Sequence, residues 1–275
     1  MRVRLQRRFG ERPRSGRSSG RVRPHVGEGR IAAPGRLRDR LVRKGFAPRH
    51  VAEIGVHHPD RCQLRGYIDD GTRCTLVEPE PDAVEAIRRR FGELAHVVLH
   101  AVALCDRHGR VEMIRRAAST YLAEVARPPA VVNDGYRPRE RDRFSVPATT
   151  FDTIDDGTIE LLSVDVEGSE WYVIERMVSR PAVISVETHG SRYRNPHADE
   201  IGDWMARNGY VVWYRDRTDT VWVRPQRIRV GLGERVARIA ADLRITARRL
   251  RKTLAAWGRA RGGARRADRR RSTGR

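Results

Sequence analysis

Residues 159–177 read IELLSVDVEGSEWYVIERM. A short apolar run, Leu161-Leu162, leads through Ser163 and Val164 into Asp165, Val166, Glu167 and Gly168, and helical periodicity begins directly afterwards. One acid at that point would serve as a helix cap, accepting hydrogen bonds from the free N–H groups of the first turn. Two acids two residues apart point to the same side of an extended chain. Paired carboxylates at the carboxyl end of a strand stand where open α/β sheets hold their ligands. Either acid can also act as a general base if desolvation raises its pKa.

Three further stretches carry the same kind of signal. AVISVETH (182–189) sets Glu187 and His189 at the end of another apolar run. The reference pKa of imidazole, about 6.5, suits His189 to proton transfer, although a single histidine at a strand end also serves structural roles. VAEIGVHHPD offers Glu53, Gly55 and His57 after the first strand, and LVEPEPDAV offers Glu78 at the end of the second, 23 residues after Gly55. A nucleotide-like cofactor needs a turn that lets the backbone approach it and, one strand on, a carboxylate for its ribose hydroxyls. Glu78 could equally be the polar end of a strand.

These residues need a sheet to position them. The stretches 51–56, 74–79, 96–104, 159–165 and 182–189 read as strands buried on both faces. Helical patterns separate several of them: 36–44 with Gly45 as its stop, 81–91 with Pro81 and Asp82 in the first turn, 169–178, and 197–209 ending at Asn208-Gly209. The stretches 210–216 and 220–225 form a hairpin. The expected fold class is α/β, a mostly parallel sheet with helices on both faces and an antiparallel C-terminal hairpin. Residues 117–145 carry few signals and read as a lid or insertion over the site. Residues 1–44 form a basic, largely disordered segment, 45–225 the folded domain, and 226–275 a basic amphipathic helix and tail.

Charge narrows the function classes. The chain of 275 residues carries a formal +21, but residues 1–50 hold 16 basic against 3 acidic residues and residues 226–275 hold 17 against 3. The middle therefore carries −6, which argues against a specific nucleic-acid reader despite the total. Almost every basic residue is arginine, a bias that fits a GC-rich genome better than selected phosphate contacts. Cys62, Cys74 and Cys105 have no C-x-x-C spacing and fit reduced, buried thiols in a cytoplasmic protein. No metal site is expected, because the adjacent His57 and His58 would point to opposite faces and no third ligand is spaced for them. No apolar run is long enough to span a membrane.

VEPEPDAVEAI, VVLHAVALCDRHGRVEM, VPATTFDTI, IELLSVDVEGSEWYVIERM and ISVETH occur in the order seen in FkbM-type methyltransferases, which the chain resembles over about residues 51–189. The resemblance implies a seven-stranded Rossmann-like sheet, S-adenosylmethionine as cofactor, and methyl transfer to a hydroxyl of a saccharide, glycolipid or polyketide. It implies that Glu53, Gly55 and His57 form the methionine-side loop and that Glu78 is the ribose ligand. Asp165 and Glu167 would lie beside the transferring methyl, and Glu187 and His189 would be a second site pair. The family's first loop is usually D-x-G-A-N-x-G; here Glu53 replaces Asp, His57 stands at the Asn and Pro59 at the second Gly. Ser163 stands where the family tends to have Lys. A catalytically silent binding or scaffold protein on the same fold remains the alternative, and a nucleic-acid methyltransferase or binder ranks below it.

From Leu232, apolar residues recur at 236, 239, 243, 247, 250, 254 and 257 with arginines among them, a basic amphipathic helix over 232–257. Such a helix docks on its own domain, docks on a twin subunit in a homo-oligomer, or lies on an anionic membrane surface, which would make the protein peripheral at the inner membrane face.

Overall fold

The computed structural model describes residues 36–116, 119–190, 192–247 and 250–251. The strands expected above resolve into two sheets. The larger has seven strands: β1 (His50–Ile54), β2 (Arg73–Val77), β3 (Val97–His100), β8 (Leu161–Val164), β9 (Val183–Glu187), β10 (Val211–Arg215) and β11 (Asp219–Val223). Its order is β10-β11-β9-β8-β1-β2-β3, parallel except for the antiparallel pairs β9–β11 and β10–β11. The α/β expectation and the closing hairpin agree with this arrangement.

Alternation along the central strands explains the layers. One face presents Val51, Leu161, Val183 and Val221 to α1 (Arg36–Arg43), α2 (Arg65–Asp69) and α3 (Pro81–Phe91), which contribute Leu41, Ile68, Ile87 and Phe91. The other presents Ile54, Leu162, Val164 and Ile184 to α5 (Glu170–Glu175) and α6 (Ala198–Arg207), with Val173, Ile174, Ile201 and Met205. Every residue of β1, β8 and β9 is buried, the signature of strands covered on both sides.

One expectation needed correction. Residues 96–104 are not one buried strand: β3 is a partly exposed edge strand, and Ala103–Leu104 is a separate strand, β4. β4 belongs to a second, four-stranded sheet of order β4-β7-β5-β6, with β5 Gly109–Ile114, β6 Tyr121–Leu122 and β7 Arg143–Thr149. Across the turn at 105–108, β4 and β5 are not neighbours, because β7 lies between them. The segment 117–145 carries β6, helix α4 (Pro129–Asp134) and the start of β7, except residues 117–118, which lie outside the described part.

The helix beginning at 232, here α7 over 232–247, docks on its own domain by its polar face. Glu234 accepts from the Trp213 indole at 2.8 Å and pairs with Lys44 at 2.7 Å, and Asp242 pairs with Arg215 at 2.8 Å. Its residues Leu232, Val236, Ile239 and Leu243 are exposed. The basic N-terminal segment up to residue 35, and Leu254 and Trp257 of the expected helix, lie outside the described residues.

Candidate functional site

Register brings the tips of the central strands together. Ile54 is level with Val77 on one side and Val164 on the other. Past those positions the Gly55 N–H donates to the Val77 carbonyl at 2.9 Å, and the Asp165 N–H donates to the Ile54 carbonyl at 2.9 Å. Gly55 has φ 86°, and a Cβ there would sit 1.8 Å from the Asp165 carbonyl oxygen. Only glycine allows β1 to turn this close to the exit of β8.

A crevice lies over these tips, with about 840 Å3 of empty space that includes the open solvent at its mouth. Glu53, Gly55, His57, Glu78, Asp165 and Glu167 all line it. Val102, Leu104, Met113 and Leu122 give it an apolar wall, in part from the small sheet, so the insertion does help enclose the site. Glu187, His189 and Pro59 are not among the lining residues.

The acids perform different tasks. Glu53 is a structural clamp: its carboxylate accepts from the Gln63 N–H at 3.0 Å, the Leu64 N–H at 2.9 Å and the Cys62 thiol at 3.0 Å. Burial nevertheless holds its pKa above the ordinary carboxylate value. Glu78 accepts from the His57 N–H at 2.6 Å and the Glu80 N–H at 2.9 Å, which ties the first loop to the end of β2. Burial pushes its pKa up to about 7 against those two bonds. A carboxylate has about four acceptor sites, so Glu78 retains capacity toward the crevice.

The loop substitutions are explained by local geometry. His57 has φ 55°, the left-handed region in which Asn and His are enriched, so His in place of Asn preserves the backbone path. Pro59 opens a single 3-10 turn, Pro59–Arg61, where its missing N–H and fixed φ cost nothing. The His58 ring caps that turn by accepting from the Asp60 N–H at 3.2 Å.

Among the described residues, Glu167 is the other non-glycine residue at positive φ, 56°, followed by Gly168 at 111°. The loop is held by Glu170, which the sequence reading assigned only to a helix. One of its oxygens accepts from the Val166 and Gly168 N–H groups, both at 3.1 Å, and the other accepts from the Asn195 amide. Asn195 in turn donates to the Glu187 carbonyl at 3.3 Å and accepts from the His197 N–H at 2.8 Å. An acid immediately after Ser169 at a helix start was the available signal for Glu170; nothing local marked Asn195.

Behind Asp165 the carboxylates crowd. Oxygens of Asp165, Glu170 and Glu187 lie within 4.8 Å of one another, a spacing suited to a shared proton or to a cation. Burial and then the neighbouring acids raise Asp165 to about 7 and lift Glu167 and Glu187 well above the usual carboxylate range. Burial likewise raises Glu170 to about 7, against the hydrogen bonds it accepts. Ser163, at the position of the family's Lys, supplies no countercharge.

His189 is not among the crevice residues and has other partners. Its Nε2 is 3.1 Å from the Asp216 carbonyl and its Nδ1 is 2.9 Å from the Thr188 hydroxyl. A ring nitrogen facing a carbonyl carries the proton there, so this edge donates and does not accept.

Two polar atoms on the crevice residues are buried without a hydrogen-bond partner: Thr120 Oγ1 and Glu167 Oε2. Buried polar groups are nearly always paired, so both call for an occupant. Thr120 was not anticipated, because it lies in the segment with few sequence signals.

The methyltransferase FkbM domain model matches residues 53–212. No curated protein matches the chain. Among solved structures, the methyltransferase domain of bacterial CtHen1 is 12% identical, covering 69% of this chain and 95% of its own, with a TM-score of 0.38. The glycopeptide N-methyltransferase MtfA complexed with S-adenosylmethionine is 11% identical, covering 72% and 96%, with a TM-score of 0.35. A SAM-dependent methyltransferase from Aquifex aeolicus is 10% identical, covering 69% and 92%, with a TM-score of 0.35. With the family model spanning more than half of the sequence, including both strand-tip loops, the chain belongs to the FkbM methyltransferase domain family.

Proposed function

We propose that the crevice binds S-adenosylmethionine and that the protein transfers its methyl group to a hydroxyl oxygen of a small-molecule or saccharide acceptor. The observation that carries this reading is the pair of unpartnered atoms, Thr120 Oγ1 and Glu167 Oε2, on an acid-lined crevice at the tips of parallel strands. A cationic ligand with hydroxyl and amino donors fits that lining. Glu78 would accept ribose hydroxyls, and the apolar wall of Val102, Leu104, Met113 and Leu122 would face the purine. Glu167 and Thr120 would meet the methionine end.

The bound sulfonium supplies an already activated methyl group. The chain must then align an acceptor oxygen and receive its proton, and a positioned base contributes about 10²–10⁴-fold. A base works best with a pKa near the working pH. Asp165, at about 7 and lining the crevice, meets that condition, while burial and then the Asp165 charge lift Glu167 well above the ordinary carboxylate value. His189 is assigned to structure, since its ring nitrogens meet the Thr188 hydroxyl and the Asp216 carbonyl.

Calorimetric titration with S-adenosylmethionine tests the reading. Wild type should bind, and Glu78→Ala should weaken binding about 10–100-fold, the worth of a charge-assisted hydrogen bond of about 1.5–3 kcal/mol. Absence of binding by the folded wild type would leave the silent scaffold reading in its place.

A further inference from the structure

An amphipathic helix on a globular protein normally turns its apolar stripe inward. α7 does the reverse. Glu234 and Asp242 fasten it to Lys44, Trp213 and Arg215, while Leu232, Val236, Ile239, Leu243 and the helical residue Leu250 are 51–80% exposed. These positions recur at 3–4 spacing and multiples of it, so they form one continuous stripe. Arg235, Arg244 and Arg251 are also exposed and stand next to the stripe residues in sequence, which places them along its two rims.

We propose that α7 is a membrane-surface anchor that lays this stripe into the interface of an anionic lipid bilayer. Burying the apolar side chains in the headgroup boundary while arginines reach lipid phosphates is the physics of interfacial helices. Charge complementarity selects lipid over a second copy of the chain. Residues 226–275 hold 17 basic against 3 acidic residues, so pairing two stripes would bring the arginine rims of both copies together. An anionic surface neutralises the same rims. The polar contacts of Glu234 and Asp242 keep the helix attached to the domain while its outer face engages lipid. Among the described residues no helix is long and apolar enough to cross a membrane.

The test is cosedimentation of the full chain with phosphatidylcholine vesicles, with or without about 30% phosphatidylserine. Binding should require the anionic lipid and weaken as salt rises. The double variant Val236→Glu/Leu243→Glu changes exposed residues only. It should keep the wild-type melting temperature and cofactor affinity while losing about tenfold or more in vesicle binding. Three results would overturn the proposal: no binding of wild type at low salt, undiminished binding of the double variant, or a wild-type dimer that the double variant dissociates while vesicles are ignored. None of these depends on whether the crevice binds S-adenosylmethionine, so the two readings fail separately.

Discussion

Asp165 and Glu167 are two residues apart, and their difference decides the chemistry. Both are crowded by other acids; Asp165 sits at about 7, and Glu167 is lifted well above the usual carboxylate range and held at positive φ by its loop. Asp165→Asn keeps the shape and removes the proton acceptor. Turnover should fall about 10²–10⁴-fold with cofactor affinity within a few-fold of wild type, read from kcat alongside a binding titration. Equal loss of binding and turnover would instead make Asp165 a cofactor ligand. At this scale the sequence showed which residues were acidic and where strands ended. It did not show that Glu53 is consumed by the Gln63 and Leu64 N–H groups and the Cys62 thiol, because those partners are set by how the following loop folds back.

The elements owe their convergence to one close approach. β1 can turn beside β8 only because Gly55 has no side chain, and the neighbouring atom is backbone carbonyl, which cannot rotate away. Gly55→Ala should destabilise the fold by about 2–4 kcal/mol, combining an unfavourable positive φ with overpacking, and should abolish cofactor binding. Thermal denaturation and titration of the variant check both; wild-type stability would show that the strand tips are looser than described. Strands β1, β2, β8 and β9, helix α3 and the closing hairpin were legible from buried apolar runs and turn residues. The small sheet was not. Its strands β4 and β6 are two residues long, too short for any periodicity, and its pairs β4–β7 and β5–β7 join segments about 30–45 positions apart.

Across the molecule, stability and ligand binding should respond to pH in opposite directions. Glu78, Asp165, Glu167, Glu170, Glu187 and Asp219 are all raised, so the folded state holds protons that the unfolded chain releases. Their contribution is therefore least unfavourable at or below the ordinary carboxylate values near 4 and worsens as pH climbs toward 7 and above. One group raised from 4.5 to about 7, such as Glu170, corresponds to at most about 3 kcal/mol at 1.36 kcal/mol per unit. The melting temperature of the ligand-free protein should fall by roughly 5 °C or more between pH 5.5 and 8. A cationic cofactor favours the ionised acids, so its affinity should rise over the same interval. A flat or rising melting curve would mean that the cluster is compensated by a cation.

Composition and periodicity by themselves determined the α/β class, the positions of the main strands along the chain and the placement of carboxylates at strand ends. They also separated the basic termini from an acidic middle. Those features are local, because they depend on which residues are neighbours along the chain. Only tertiary structure decided which acids face the crevice, which lie hidden behind Asp165, and that α7 turns its apolar face outward. Periodicity says that a helix has two faces or a strand two sides. Which of them meets protein depends on partners that lie far away in sequence, as Glu234 on Lys44 and Asn195 on Glu170 show.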